Sequence, residues 1–116
     1  MGQNANPGTN PSAMKDRASL VIDVDSCLRE LVPQFLRSKR ADIALTLSAL
    51  ERGDLETAVR VGHQLKGEGA AFGFDDVTAM GAELERAAKS ADHSATLRWA
   101  RALAEFLGHV EVRFRD

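Results

Sequence analysis

Hydrophobic residues recur every three or four positions through most of the chain, which is the spacing of one face of an α helix. The first stripe predicts a short helix from Asp25 to about Val32, and then a long helix that begins near Pro33 and ends at Gly53. The pattern leaves open whether these are two helices or one bent helix. The residues of this stripe are Leu28, Val32, Phe35, Leu36, Ile43, Leu47 and Leu50.

Three further stripes follow, each preceded by a residue that can cap a helix. The candidate caps are Asp54, Asp75 and either Asp92 or Ser94. Gly73 is expected to end the first of these helices, and the stripe of the last one continues through Val110 to Phe114. No segment shows sustained strand-like alternation, and the joints are short, so consecutive helices are expected to lie antiparallel. The predicted fold is all-α, an antiparallel up-down four-helix bundle with a short N-terminal accessory helix.

Composition separates residues 1–19 from the rest of the chain. They hold two of the three prolines, several Asn, Gly and Ser, and few bulky apolar side chains, which is typical of a disordered tail or a vector-derived remnant. Across all 116 residues, 44% are hydrophobic and 28% are charged, as in ordinary globular proteins. Residues 20–116 are therefore predicted to form one helical domain.

Charge and cysteine content exclude several classes of function. A net charge of -2 gives no electrostatic basis for binding nucleic acid or an anionic membrane. Cys27, the single cysteine, excludes an internal disulfide and a multi-thiolate metal site, and it is predicted to be a small buried hydrophobe. No apolar run has the length of a signal peptide core or a membrane span, so a cytoplasmic location is predicted.

One histidine lies on the polar side of the second long helix. At about 100° per residue, His63 is roughly 130° from the centre of the apolar stripe, so it is predicted to face water together with Lys66 and Gly67. An exposed helical glycine costs about 1 kcal/mol relative to alanine, and Gly67 therefore indicates close approach by another molecule. Gly62 and Gly69 lie on the inward face instead, where they are expected to let the neighbouring helix pack closely.

An exposed neutral imidazole can act as a nucleophile. A phosphoryl group is a suitable electrophile, because Lys66 lies one turn from His63 and can neutralise its oxygens. Glu85, about 100° from the stripe centre of the following helix, could accept the other ring N–H of His63 and fix its tautomer. Taken alone, Glu85 also fits a solvated residue or an ion-pair partner.

These residues carry a family resemblance. The run His63-Gln64-Leu65-Lys66-Gly67, followed by Gly69 and Phe72-Gly73-Phe74, resembles the H-x-L-K-G signature of histidine phosphotransfer (HPt) domains, including the phosphoacceptor domain of chemotaxis histidine kinases. The resemblance extends from about residue 20 to the C-terminus in helix order, and it is sharpest from His63 to about Ala88.

The resemblance implies a role for each matching residue. His63 would accept the phosphoryl group, Lys66 would neutralise it, Gly67 would give steric clearance, and Glu85 would orient His63. The implied partners are a receiver domain, which brings its own Mg²⁺, a histidine kinase, or both, and the chain is expected to be monomeric without a cofactor or ATP site. The expected partner surface comprises Val59, Gln64 and Ala70. By analogy with the family, Leu28 and Leu31 are expected to belong to it as well. Glu68 departs from the small residue common in the family, so partner preference is expected to change.

Three interpretations remain open at this point. The chain is a free-standing phosphorelay carrier, the phosphoacceptor domain of a larger chemotaxis-type kinase, or a helical adaptor that binds through the same surface without phosphate chemistry. The sequence does not identify the partners or the direction of transfer. Three scattered histidines do not form a zinc signature, and no metal is expected.

Overall fold

The computed structural model describes residues 21–115, so the predicted tail of residues 1–19 lies outside the described residues. Four helices form most of the structure: α1 (Val32–Glu51), α2 (Leu55–Phe72), α3 (Asp75–Lys89) and α4 (His93–His109). Two short strands flank them, β1 (Val21–Asp25) and β2 (Glu111–Arg115). The prediction of a helical bundle with four main helices is confirmed.

Helix α1 is a single helix, which resolves the alternative left open by its hydrophobic pattern. Pro33 lies in its first turn, where the missing N–H is not needed, and at the C-terminal end the backbone N–H of Arg52 donates to the Ala49 carbonyl and that of Gly53 to the Leu50 carbonyl. Gly53 follows with φ +77°, a left-handed conformation that favours glycine. The helix therefore ends where the sequence predicted.

The caps agree with the sequence prediction at two of three helices. The carboxylate of Asp54 accepts the backbone N–H of Thr57, and that of Asp92 accepts the backbone N–H of Ala95. Asp75 is the first residue of α3 and not its cap, because Phe74 takes the N-cap position without a side-chain hydrogen bond. An acidic residue at this point still interacts favourably with the helix dipole.

The strands correct the prediction that the chain contains helices alone. β1 and β2 pair in parallel, with Val21 opposite Glu111 and Asp25 opposite Arg115. Each strand alternates over only five residues, which is too short to count as sustained alternation, and Val110 and Phe114 also fit the helical spacing of α4. Helix α4 nevertheless ends at His109, so the prediction that its stripe continues to Phe114 was wrong.

The predicted accessory helix is reduced to one tight turn. Ser26–Leu28 form a 3-10 helix, capped by the Asp25 carboxylate, which accepts the backbone N–H of Cys27. Residues 21–25 belong to β1 and α1 begins at Val32, so the predicted helix is confined to the six residues between them. Cys27 is exposed, which corrects its predicted burial, because the turn directs it away from the bundle.

One hydrophobic core lies between the four helices. Phe74 is fully buried and stacks on Phe35, with ring centroids 5.3 Å apart, and Phe72 stacks on the same ring at 4.3 Å. Val24 of β1 is buried at the edge of this core. Phe72 and Phe74 therefore pack as core and cap residues. The largest fully buried side chains elsewhere are Ile43, Leu65, Met80, Leu84, Leu103 and Leu107.

Candidate functional site

Helix α2 places His63 in solvent midway along its length. The His63 side chain is 69% exposed, whereas Leu65, two residues later, is fully buried. An added Cβ at Gly67 would have no atom within 4 Å, so the helix surface one turn beyond His63 is bare. The predicted exposure of the imidazole and the predicted clearance beside it are both present.

A close approach between α2 and α3 builds the other half of the site. A Cβ at Gly62 would lie 2.7 Å from the backbone N of Glu85 and 2.8 Å from the carbonyl oxygen of Gly81. A Cβ at Gly81 would in turn lie 2.9 Å from the backbone N of Lys66. Only glycine permits these backbones to lie so close. As a result, the backbone of Glu85 lies directly beside the turn of α2 that carries His63.

Glu85 is a buried carboxylate that three basic side chains contact. Its Oε2 lies 3.1 Å from His63 Nδ1 and 3.2 Å from Lys89 Nζ, and its Oε1 lies 2.9 Å from Lys66 Nζ. The Glu85 side chain is only 7% exposed. The hydrogen bond from Lys66 is the main reason that the pKa of Glu85 falls to about 2, and those from Lys89 and His63 add to it against the opposing effect of burial. The interpretation of Glu85 as a solvated residue is therefore wrong.

The ionisation of Glu85 fixes the tautomer of His63. A carboxylate with a pKa of about 2 is ionised near neutral pH and can only accept hydrogen bonds. His63 Nδ1 must therefore carry the proton that it shares with Glu85 Oε2. In the neutral ring this leaves the lone pair on Nε2, the nitrogen that faces away from α3.

The depressed pKa of Glu85 predicts a pH-dependent contribution to stability. Its folded-state pKa of about 2 lies below its ordinary value of 4.5, so the contribution is complete above about pH 4.5 and is lost as the pH falls toward 2. We expect Glu85→Gln to lower the urea midpoint most near neutral pH and progressively less toward about pH 3. The exposed carboxylate of Glu105 provides the control, and Glu105→Gln should leave the midpoint nearly unchanged throughout. A difference between wild type and Glu85→Gln that stays constant with pH would contradict the assignment.

Two ammonium groups lie on the α3 side of His63. The Lys66 side chain is 44% exposed and that of Lys89 is 63% exposed, so both can leave Glu85 for another anion. Lys66 was identified from the sequence, but Lys89 was missed. The signal was present, because Glu85 and Lys89 are four residues apart on one helix and such residues face each other.

A second ion-pair cluster lies on the α1 side of α2. The Nζ of Lys39 bonds to the Glu68 carboxylate and lies 3.1 Å from Asp42 Oδ2. The Lys39 side chain is 7% exposed, and although burial lowers its pKa, the hydrogen bonds to Glu68 and Asp42 outweigh burial and raise the pKa overall. Glu68 is therefore an ion-pair partner as well as a departure from the family pattern. Lys39 was missed although it occupies an apolar stripe position, four residues after Phe35 and four before Ile43.

The predicted partner surface is accessible along most of its length. Gln64 and Ala70 are exposed, and Val59 is half-buried beside the core. Leu31 is 55% exposed, while Leu28 is half-buried in the turn before α1. The structure thus brings His63, Lys66, Gly67 and Glu85 into one site. Accessible apolar and polar side chains surround it.

The described residues were inspected for two other kinds of feature, clustered metal ligands and membrane-spanning helices. Within residues 21–115, no group of three or more His, Cys, Asp and Glu side chains is arranged to hold a metal ion. The same residues include no helix that is both long and apolar enough to cross a bilayer. The chemistry that the site offers is that of an oriented imidazole flanked by two ammonium groups.

The chain was compared with protein families, curated proteins and solved structures. A family model described as Hpt domain matches residues 30–112, which include all four helices. The comparisons with curated proteins and with solved structures gave no match. The matched segment covers most of the chain and holds His63, Lys66 and Glu85, so the chain belongs to the Hpt domain family.

Proposed function

We propose that the protein carries a phosphoryl group on His63 Nε2 and exchanges it with the aspartate of a receiver domain. Hpt domains act in histidine phosphotransfer and phosphorelay signalling, as phosphocarriers without an ATP site of their own. The observation that carries the proposal is the exposed ring of His63, whose Nδ1 is bound to the buried Glu85 carboxylate. That contact leaves Nε2 as the nucleophile.

The proposed transfer needs no reactant other than the phosphorylated receiver and His63. The Nε2 lone pair attacks the phosphorus of the aspartyl phosphate, the P–O bond breaks, and its electron pair stays on the aspartate as a carboxylate. The receiver supplies the Mg²⁺ that neutralises its own carboxylates during this step. The phosphorylated ring keeps its Nδ1 proton and gains a positive charge, which the Glu85 carboxylate opposes. The reverse sequence returns the phosphoryl group to a receiver.

Lys66 and Lys89 are proposed to bind the phosphoryl oxygens. Both ammonium groups contact the Glu85 carboxylate, which also contacts the ring that would carry phosphorus. Gly67 leaves room above the helix for the receiver to reach Nε2. Catalysis would then be shared, with the receiver providing the metal and this chain providing an oriented nucleophile and two cations.

The two lysines should contribute separately to the rate of transfer. We expect Lys66→Ala to lower the second-order rate constant by about tenfold and Lys89→Ala to lower it several-fold, since each removes one charge-assisted hydrogen bond to the phosphoryl group. The control is Arg86→Ala, which removes an exposed cation of α3 that pairs with Glu83 and not with Glu85. Equal rates for Lys89→Ala and wild type would show that Lys89 only neutralises Glu85.

The proposal is tested by mapping the phosphoryl group directly. The protein is mixed with receivers of its source organism that have been loaded with acetyl phosphate, and the product is examined by peptide mapping and phosphorus NMR. We expect an acid-labile, base-stable phosphoryl group on His63 with the chemical shift of Nε2-phosphohistidine. Label on Nδ1 would refute the orienting role of Glu85, and a failure of every receiver and kinase of that organism to label the protein would refute the proposal.

The Glu85 contact also favours a second candidate, the phosphoacceptor domain of a chemotaxis-type kinase. The phosphoacceptor domains of chemotaxis kinases, which this chain resembles, carry a glutamate at this place that hydrogen-bonds the reactive histidine, and here Glu85 Oε2 lies 3.1 Å from His63 Nδ1. Such a domain would receive its phosphoryl group from a kinase domain that uses ATP. Labelling by kinase and ATP at a rate far above that from any receiver would favour this candidate.

Several finer features belong to the same proposal. The joints between helices comprise residues 52–54, 73–74 and 90–92, and such short connections favour an up-down antiparallel order. We also propose a monomer that works in the cytoplasm. Sedimentation at micromolar concentration and fractionation of the source cells test these two points.

A further inference from the structure

A groove lies between α1 and α2, on the side of α2 opposite to Glu85. Its volume is about 300 Å³, and the side chains of Leu31, Phe35 and Phe72 make its surface largely apolar. Gln34 and Ser38 line one edge. Lys39 and Glu68 close its far end, and Glu68 follows Gly67 directly along α2. The groove therefore reaches the turn of α2 that carries Gly67.

The two ion-pair clusters beside α2 carry opposite residual charges. On the α3 flank, Lys66 and Lys89 share one carboxylate, which leaves an excess positive charge next to His63. On the α1 flank, one ammonium group lies between two carboxylates, which leaves an excess negative charge. The buried Lys39 is covered, whereas the side chains of Glu68 and Asp42 are 47% and 29% exposed and remain within reach of a partner.

We propose that this groove receives a lysine or arginine side chain of the receiver domain and that Glu68 is a specificity-determining residue for the partner. The methylene stem of such a side chain would pack on Leu31 and Phe72 while its charge reaches the Glu68 carboxylate. This inference rests on the proposed function, because it concerns the partner that exchanges the phosphoryl group with His63.

Other occupants fit the groove less well. An acidic side chain would meet the Glu68 carboxylate, and a wholly apolar side chain would remove water from Glu68 and offer no hydrogen bond in return. Glu68 lies five residues after His63, about 7.5 Å along the helix axis and about 140° around it, on the α1 flank. An interface of about 800 Å² on each partner is wide enough to span both residues, so a receiver that docks over His63 and Gly67 and extends toward α1 would cover Glu68 as well.

The test compares the rates at which receivers transfer to Glu68 variants. Each receiver of the source organism is purified, loaded with acetyl phosphate and mixed with wild type, Glu68→Gln, Glu68→Lys or the control Glu51→Lys. Glu51 is an exposed carboxylate at the far end of α1, so its variant makes the same charge change away from His63. Glu68→Gln keeps an acceptor for Lys39 and guards against a loss of folding, which thermal unfolding monitors.

With the receiver that serves wild type best, we expect the second-order rate constant to fall about threefold in Glu68→Gln and about tenfold in Glu68→Lys, and not in Glu51→Lys. The deficit should shrink in high salt, because the interaction is electrostatic and partly exposed. Replacing one exposed Lys or Arg of that receiver by Glu should restore transfer to Glu68→Lys.

Three results would overturn the inference. Wild-type rates for both Glu68 variants would do so, as would a loss that no charge reversal on the receiver restores. A dimer of the protein that Glu68→Lys dissociates would show that a second copy fills the groove instead. If wild type itself takes no label from any receiver, the proposed function fails first and the inference falls with it.

Discussion

Replacement of His63 by Gln is expected to abolish phosphoryl incorporation and to leave the fold intact. Gln has no ring nitrogen to attack phosphorus, so no label should be acquired from any receiver or kinase that labels the wild type. The side chain is 69% exposed, and Lys66 and Lys89 still contact Glu85 when His63 is replaced, so the free energy of unfolding should change by no more than about 1 kcal/mol. Incorporation is followed by gel assay under alkaline conditions, and stability is followed by urea unfolding.

A second histidine provides the matched control for this experiment. His109 is also exposed at the end of a helix, and its Nδ1 contacts the carbonyl oxygen of Glu105. His109→Gln should incorporate phosphate at the wild-type rate. Label that persists in His63→Gln would place the phosphoryl group elsewhere. If wild type and His63→Gln bind a partner equally well and neither is ever labelled, the protein is an adaptor.

The part of the site that could be predicted from sequence is the part carried by one helix. His63, Lys66 and Gly67 all lie on α2, so a rotation of about 100° per residue is enough to place them together on the solvent side. Their exposure in the structure follows from that periodicity. To predict the contact between Glu85 and His63, the distance between α2 and α3 must be known. The sequence gives only the angular position of Glu85 on α3.

The separation of those helices depends on backbone contacts that a hydrophobic stripe does not encode. Gly62 was placed on an inward face by its spacing, but nothing in the pattern showed that it faces Gly81 of α3. That pairing decides that Glu85 lies beside His63 and becomes buried. The burial of Glu85 and its depressed pKa are therefore tertiary effects.

Lys39 and the strands show two other limits. A lysine at an apolar stripe position is easily taken as a break in the stripe, and only the placement of Glu68 and Asp42 shows that its charge is paired. β1 and β2 are five residues long and far apart in the sequence, so each shows only a short alternation of apolar and polar residues. In β2 the apolar residues also fit the helical spacing of α4. Long-range pairing resolved the ambiguity in favour of the strand.

Two glycine substitutions one and a half turns apart should have opposite effects on stability. In Gly62→Ala the new Cβ would lie 2.7 Å from the Glu85 backbone N and 2.8 Å from the Gly81 carbonyl oxygen, so α2 and α3 must move apart. We expect a loss of about 1–3 kcal/mol in the free energy of unfolding, and a midpoint temperature lower by about 5–15 °C. Transfer to His63 should slow as well, because Glu85 moves away from the ring.

Gly67→Ala is the matched comparison, because the same methyl group is added to the same helix. Its Cβ would have no atom within 4 Å, and the backbone at Gly67 has no positive φ, so alanine fits without strain. Stability should rise by up to about 1 kcal/mol from helix propensity alone. Transfer should nevertheless slow, since the methyl group enters the space through which a receiver would reach Nε2 of His63.

Together the two variants distinguish the effect of packing between α2 and α3 from the effect of a partner's access to His63. A slow Gly62→Ala with lowered stability and a slow Gly67→Ala with raised stability cannot share one cause, since the free energy of unfolding moves in opposite directions. If Gly62→Ala were as stable as wild type, α2 and α3 would have to lie farther apart than the 2.7 Å between the added Cβ and the Glu85 backbone N implies. Gly67→Ala at the wild-type transfer rate would mean that partners reach His63 from another direction, and the bare patch would then have no role in docking.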